Sequence, residues 1–157
     1  MTRYFCRPYQ LKDFPRICDI HDAARLDELR LSHLQEAFIP LRNAAAREGL
    51  FEYQLLVAEM NGRVDGFVAF SASELTWLYV YPDCYRTGIG SLLAQAAVDR
   101  SGPEIFLEVI SGNEPALAFY RSVGFEHVHT ASGAMPGNEA FRITAHVMSY
   151  AKTKNSA

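Results

Sequence analysis

Gly88 and Gly90 stand where an apolar stretch ending in Val80-Tyr81-Pro82 gives way to a helical pattern. A helix start leaves its first backbone N–H groups unpaired and carries partial positive charge. Glycine there lets an anion approach the backbone closely. Arg86 adds a cationic side chain, so Tyr85-Arg86-Thr87-Gly88-Ile89-Gly90 reads as a turn able to hold a phosphate group. Two better-known phosphate motifs do not fit. A dinucleotide fingerprint requires a third glycine where Leu93 stands, and a P-loop requires Gly-Lys-Ser/Thr. The plainer alternative is a tight turn and nothing more, and Gly88-Ile89-Gly90 alone does not separate the two.

Other reactive side chains form weaker patterns. His127 and His129 sit two apart on an expected strand and so face the same side, with His146 on the last strand. No third ligand at a recognisable metal spacing accompanies them, so no metal site is expected. Cys84 lies in the turn itself, beside a helix N-terminus that favours a thiolate. Plain variation is the better account of it.

These residues need elements to carry them. Residues 3–8 are short, aromatic and bounded by Pro8, as a first strand would be. From Leu11 to about Leu29 the pattern is helical, with Leu11, Phe14 and Cys18 on one face and Ile17 beside them. A second helical stretch spans about His33–Glu48, and Pro40 inside it predicts a break or kink. Two apolar runs, Gln54–Glu59 and Val64–Phe70, flank Asn61-Gly62, a strong hairpin signal. A strand over 77–81 follows, then a helix from Gly88 to about Arg100 with Ile89, Leu92, Leu93, Ala96 and Ala97 on one face. Ile105–Ile110 is a strand. Asn113 and Pro115 suit the start of a last helix, and Gly124 suits its end. Strands at about 125–130 and 141–150 close the chain, joined by a loop over 132–140. The expected fold class is α/β: a mixed, mainly antiparallel sheet of about six to seven strands flanked by about four helices. Its strand–helix–strand unit is the clear parallel crossover.

Composition narrows the function classes. The chain has 157 residues, of which 49% are apolar and 21% charged, enough for one domain with a proper core over 1–157. The net charge of −3 and the scattered Lys and Arg give no footprint for nucleic acid. Three cysteines without a C-x-x-C spacing argue against a disulfide framework or zinc ribbon. No stretch reaches the roughly 18 apolar residues of a membrane helix or reads as a signal peptide. The expectation is a cytoplasmic protein with no membrane partner.

Val80-Tyr81-Pro82, a gap, then Tyr85-Arg86-Thr87-Gly88-Ile89-Gly90 and an amphipathic helix closely resembles the acetyl-CoA motif of GNAT-family N-acetyltransferases. Tyr85 occupies a place usually held by Gln or Arg, with Arg86 beside it. A second segment, Asn113-x-x-Ala116-x-x-Phe119-Tyr120-x-x-x-Gly124-Phe125, resembles the family's other cofactor-lining stretch. The likeness spans nearly the whole chain and is weakest over 20–50.

The resemblance implies acetyl-CoA as acetyl donor and an amine as acceptor. It implies that the backbone of Leu78, Tyr79 and Val80 pairs with the pantetheine arm. Tyr85, Arg86, Thr87, Gly88, Ile89, Gly90 and Ser91 would hold the pyrophosphate, and Asn113 would contact the pantetheine region. Tyr120 matches the general acid that protonates the leaving thiolate; a core aromatic is the alternative. Glu108 and Glu74 are rival matches for the base, with no dedicated base as a third option. The acceptor site is expected over about 22–50 and 132–140, where Asp22, Asp27, Glu28 and Glu36 stand beside Arg25, Arg30 and His33. The leading expectation is transfer to a primary amine of a small molecule by direct attack on the thioester. Transfer to a protein N-terminus or lysine, and a non-catalytic CoA-binding regulator, are the alternatives. Nothing in the sequence fixes an oligomeric state, and a homodimer is compatible with it.

Overall fold

Asn61 and Gly62 take φ of +52° and +79°, the left-handed pair that a two-residue hairpin turn requires. They fold β2 (Gln54–Met60) antiparallel onto β3 (Arg63–Phe70). β1 (Phe5–Pro8) adds to β2 and β4 (Leu75–Val80) to β3, giving a sheet in the order β1-β2-β3-β4. The computed structural model describes residues 3–155, so residues 1, 2, 156 and 157 of the expected domain lie outside the described residues.

The remaining strands form a second sheet. β5 (Glu104–Ile110), β6 (Glu126–Met135) and β7 (Asn138–Ala151) pair in the order β5-β7-β6, all antiparallel. The expectation of a single sheet is thereby corrected. Between β4 and β5, which run parallel, one bridge joins Glu74 to Phe106 among the described residues. Around it Phe106 N–H donates to Ser73 O (2.8 Å) and Gly102 N–H to Ala72 O (2.7 Å). Beyond it the strands separate. A bulge leaves Thr76 unpaired between Leu75 and Trp77, and bulges bend and twist a strand, turning residues 77–80 away from β5.

The helices cover both faces. α1 (Phe14–Leu31) and α2 (Leu41–Arg47) lie on one, α3 (Ile89–Arg100) and α4 (Glu114–Val123) on the other, and Lys152–Asn155 forms a last helical turn. α1 begins later than its periodicity predicts. Leu11–Asp13 is a separate 3-10 turn, so Leu11 is exposed and the buried face is Ile17, Cys18, Ile20, His21 and Ala24. Pro40 does break the second helical stretch. What precedes it is a single 3-10 turn, Gln35–Ala37, after His33 leaves α1 with φ of +56°.

The expected loop over 132–140 is a correction too. β6 runs on to Met135 and β7 starts at Asn138, so only Pro136-Gly137 turns. Gly137 supplies the positive φ (+79°) and Asn138 Nδ2 donates to Ala37 O (3.0 Å), tying the hairpin tip to the α1–α2 connection.

Gly66 on β3 brings α3 close to the sheet. A Cβ there would lie 2.7 Å from Ile89 Cγ2 and 3.0 Å from Leu93 Cδ1. Both residues are fully buried in the core cluster that joins α3 and α4 to the sheets. A separate cluster joins α1 and α2 to the opposite face through Val57, Phe67 and Trp77.

Candidate active site

The split between β4 and β5 opens toward the C-terminal ends of both strands, where ligands of open α/β sheets bind. β4 pairs with β3 through Gly66–Val80, Phe67–Tyr79 and Val68–Leu78. Among the described residues its other edge, at Leu78, Tyr79 and Val80, pairs with no strand. An unpaired edge presents N–H and C=O groups that an extended ligand can join.

β4 leads through the 3-10 turn Pro82–Cys84 to the start of α3. Arg86 and Gly88 both take positive φ, +63° and +89°. Among the described residues the N–H groups of Arg86, Thr87, Gly88, Ile89, Gly90 and Ser91 donate to no backbone carbonyl. The first helical bond runs from Leu92 N–H to Gly88 O (3.1 Å). Such a run of free N–H groups at a helix start is an anion-binding concavity. The turn's side chains are engaged elsewhere, apart from Arg86. Thr87 Oγ1 donates to Cys84 O (2.6 Å), and the Tyr85 hydroxyl reaches Asp27 on α1 (3.3 Å). Cys84 is buried in the core cluster, its sulfur 4.0 Å from the Tyr4 hydroxyl. Phe119 packs against Gly90, where an added Cβ would meet the ring at 3.2 Å, and this fixes α4 beside the turn.

β5 leads to Asn113, which is buried and caps α4: its Oδ1 accepts from Ala116 N–H at 3.2 Å. The cap occupies the side-chain carbonyl, and among the described residues the Nδ2 group has no partner. Tyr120 lies about two turns on, between Phe119 (5.0 Å) and Phe125 (5.6 Å). Burial, reinforced by the Glu28 carboxylate, raises its hydroxyl pKa well above the ordinary value, so it keeps its proton at neutral pH.

On the α1 side the split widens into a cavity of about 800 Å³. Glu74 and Glu108 both line it, one from just before β4 and one from β5. Glu48 enters from the end of α2, Glu139 from the β6–β7 tip, and Arg25 and Arg47 from α1 and α2. Arg25 is held by Glu28, and the Tyr79 hydroxyl stands 3.5 Å from the same carboxylate. Burial and then the Glu28 charge raise the Tyr79 pKa. Burial also raises that of Glu48, against the pull of Arg25 and Arg47. The acidic residues expected over 22–36 divide: Glu28 pairs with the cavity-lining Arg25, whereas Asp27 serves Tyr85 and Asp22 accepts from Leu41 N–H (2.9 Å).

The histidines are also rearranged. A bulge between His127 and His129 cancels their shared face. His129 lines the cavity, while His127 meets His146 edge-on with ring centroids 5.3 Å apart. Among the described residues no group of three or more His, Cys, Asp or Glu side chains is arranged to hold a metal ion. Among the described residues no helix is long and apolar enough to cross a membrane. His21 also lines the cavity and did not stand out in the sequence. Its signal was a histidine on the buried stripe of α1, next to an acid, a pattern that a packed core histidine shares.

Comparison with known proteins bears on the same segments. The family model described as Acetyltransferase (GNAT) family matches residues 14–125, which contain both strands of the split and α3. Peptidyl-lysine N-acetyltransferase YiaC of Escherichia coli (strain K12) is 38% identical over 76 residues. That match covers 48% of this chain and 51% of YiaC, so the chain spans about half the length of the curated relative it matches. The fold is shared with a GCN5-related N-acetyltransferase from Rhodopseudomonas palustris (TM-score 0.76, 21% identity, 96% of this chain and 97% of that one). It is shared also with a phosphinothricin acetyltransferase from Sinorhizobium meliloti solved in complex with AcCoA (TM-score 0.70, 18% identity, 96% and 89%).

Proposed function

Because the chain belongs to the GNAT acetyltransferase family, we propose that it transfers the acetyl group of acetyl-CoA to a primary amine of a small cationic molecule. The observation that carries this reading is the split itself. Among the described residues one strand edge pairs with no strand, six N–H groups at its end donate to no backbone carbonyl, and a carboxylate-lined cavity lies against it. Acetyl-CoA, a substrate here, supplies an activated thioester. The free edge at Leu78, Tyr79 and Val80 aligns its pantetheine arm, and a strand N–H polarises the thioester carbonyl. The N–H groups of 86–91, with Arg86, hold the pyrophosphate. Asn113 Nδ2 donates to the pantetheine region. Tyr120 protonates the departing thiolate.

The cavity speaks for the acceptor. Its walls carry Glu48, Glu74, Glu108 and Glu139 against Arg25 and Arg47, four negative charges and two positive, a net of −2 with neutral histidines. Its volume of about 800 Å³ falls within the range of small-molecule sites. Glu74 and Glu108 hold the ammonium group, and either relays its proton through water. Deprotonation is a real barrier: an alkylamine with pKa near 10.4 loses about 4 kcal/mol at pH 7.4, an α-amine well under 1.

A second reading is acetylation of a protein lysine, favoured by the match to YiaC, itself a peptidyl-lysine acetyltransferase. A thiol-release assay with polyamines, amino acids, aminoglycosides and lysine peptides separates the two. The first reading expects turnover on small diamines or polyamines with kcat/KM above that for any peptide, and the reverse order selects the second. Tight acetyl-CoA binding with no turnover on any amine selects a regulator instead. Glu74→Gln and Glu108→Gln test the relay: if neither changes the alkaline rise in rate, both lose that role.

A further inference from the structure

His21 is 6% exposed, yet its ring lines the acceptor cavity. Its Nδ1 lies 2.9 Å from Asp22 Oδ1. A carboxylate only accepts, so Nδ1 carries the proton and the neutral ring presents its Nε2 lone pair. Among the described residues Nε2 has no hydrogen-bond partner, and it is not among the atoms sealed from solvent without one. The ring is locked in place: it meets Tyr79 edge-on at 5.0 Å, with Trp77 at 6.1 Å and Phe38 at 6.5 Å. Asp22 is locked as well, because the same Oδ1 accepts from Leu41 N–H at 2.9 Å and so ties the pair to the start of α2. A core histidine kept for packing alone needs neither a carboxylate partner fixing its proton nor a place in the wall of a polar cavity.

We propose that His21 Nε2 is the terminal acceptor of the proton that the amine substrate must lose, with Asp22 as its positioning residue. The proposal rests on the acetyl-transfer reading. The ammonium gives one proton to Nε2, directly or through cavity water, and the imidazolium later passes it to solvent. The freed amine attacks the thioester carbon; the N–C bond forms and the C–S bond breaks. Tyr120 gives its proton to the leaving sulfur and recovers one from the nitrogen as the amide forms. One amine proton therefore ends in solvent and one on the thiol.

The groups facing His21 support a neutral ring at pH 7. Burial lowers its pKa and outweighs the raising effect of Asp22; Arg25 adds to the lowering and Glu28 opposes it. From β4 it meets the rings of Trp77 and Tyr79. The ordinary pKa of an imidazole lies far nearer to working pH than that of a carboxylate, and base catalysis is most efficient there.

Two measurements test this on the folded protein. In the first, nitrogen-detected NMR of the wild type at pH 7 is expected to show His21 protonated at Nδ1 and bare at Nε2; a proton on Nε2 overturns the proposal. In the second, kcat/KM for an alkylamine is followed from pH 6 to 10 in wild type and H21Q, with acetyl-CoA binding as the check on folding. H21Q is expected to lose about a hundredfold at pH 7 and to recover about tenfold per pH unit as free amine accumulates. A loss equal at pH 7 and pH 9, or under about threefold at pH 7, overturns the assignment. Absence of wild-type turnover on every amine sinks the acetyl-transfer reading instead, a different outcome from turnover with a pH-independent deficit in H21Q.

Discussion

The two faces of β4 are built differently. Leu78 and Val80 face α3 within an apolar cluster, and that face ends in a turn whose free groups are backbone amides. Trp77 and Tyr79 face the other way, toward His21, Arg25, Glu74 and Glu108, side chains drawn from three separate elements. A backbone site needs only a path: positive φ at Gly88, a close approach at Gly66 and a helix start at Ile89. It tolerates Cys84 and Tyr85, because the first packs inward and the second turns to Asp27. A side-chain site needs particular atoms brought together, and each of them also has a structural use.

The contrast can be tested, beginning with its exception. Tyr120 is the one side chain on the cofactor face assigned to chemistry. Tyr120→Phe is expected to lower kcat by about 10²–10³-fold while leaving acetyl-CoA affinity unchanged. Parallel losses in affinity would make it a packing residue.

Gly66→Ala comes next. Overpacking against Ile89 and Leu93 is expected to destabilise the fold by about 1–3 kcal/mol in urea titration and to weaken acetyl-CoA binding by displacing the start of α3. Retained stability would show that α3 shifts freely, and the path argument would lose its anchor.

Gly88→Ala meets no neighbour within 4 Å, so its expected loss of about 1–2 kcal/mol is one of backbone strain alone. Arg86→Ala is expected to matter least. Its side chain is exposed, so about 0.5 kcal/mol, a factor of about two in affinity, is the expected change. A tenfold loss on calorimetric titration would mean that the guanidinium carries the grip.

Acid should remove stability in two stages. The buried pKa of His21 is lowered, so the unfolded chain binds the extra proton first. Stability from the neutral ring is full above about pH 6.5 and declines as pH falls toward the folded value. Asp65 follows. Burial would raise its pKa, but hydrogen bonds from Tyr4, Arg16 and Arg63 hold it below the ordinary value. Its contribution is present above about pH 3.9 and lost as pH falls through the folded pKa. H21Q is expected to flatten the first decline in a series of urea titrations between pH 7 and 5 and to leave the second unchanged.

Most elements were legible in the sequence because their signals are local. The Asn61-Gly62 hairpin, the amphipathic stripe of α3, the Asn113 cap and the Pro40 break each follow from neighbours within a few residues. The two sites differed in legibility for the same reason. Residues 85–91 and 113–120 are contiguous runs, and their spacing carries what they are placed to do. The cavity joins His21, Glu48, Glu74, Glu108 and the Pro136-Gly137 tip, which lie far apart in the chain. The loop read into 132–140 failed because its glycines and proline weaken strand propensity, while pairing with β7 restores the strand. His127 and His129 lost their shared face to a bulge that no periodicity announces.

Local φ preferences and helix-end signals were enough to specify a strand–turn–helix whose start leaves backbone N–H groups without a backbone acceptor among the described residues. Only the folded chain shows that β4 and β5 part after the one bridge seen among the described residues, and that a histidine on α1 lines the cavity at their split. Strand divergence and side-chain convergence are set by bulges, packing and partners distant in the chain, where composition and spacing carry no record.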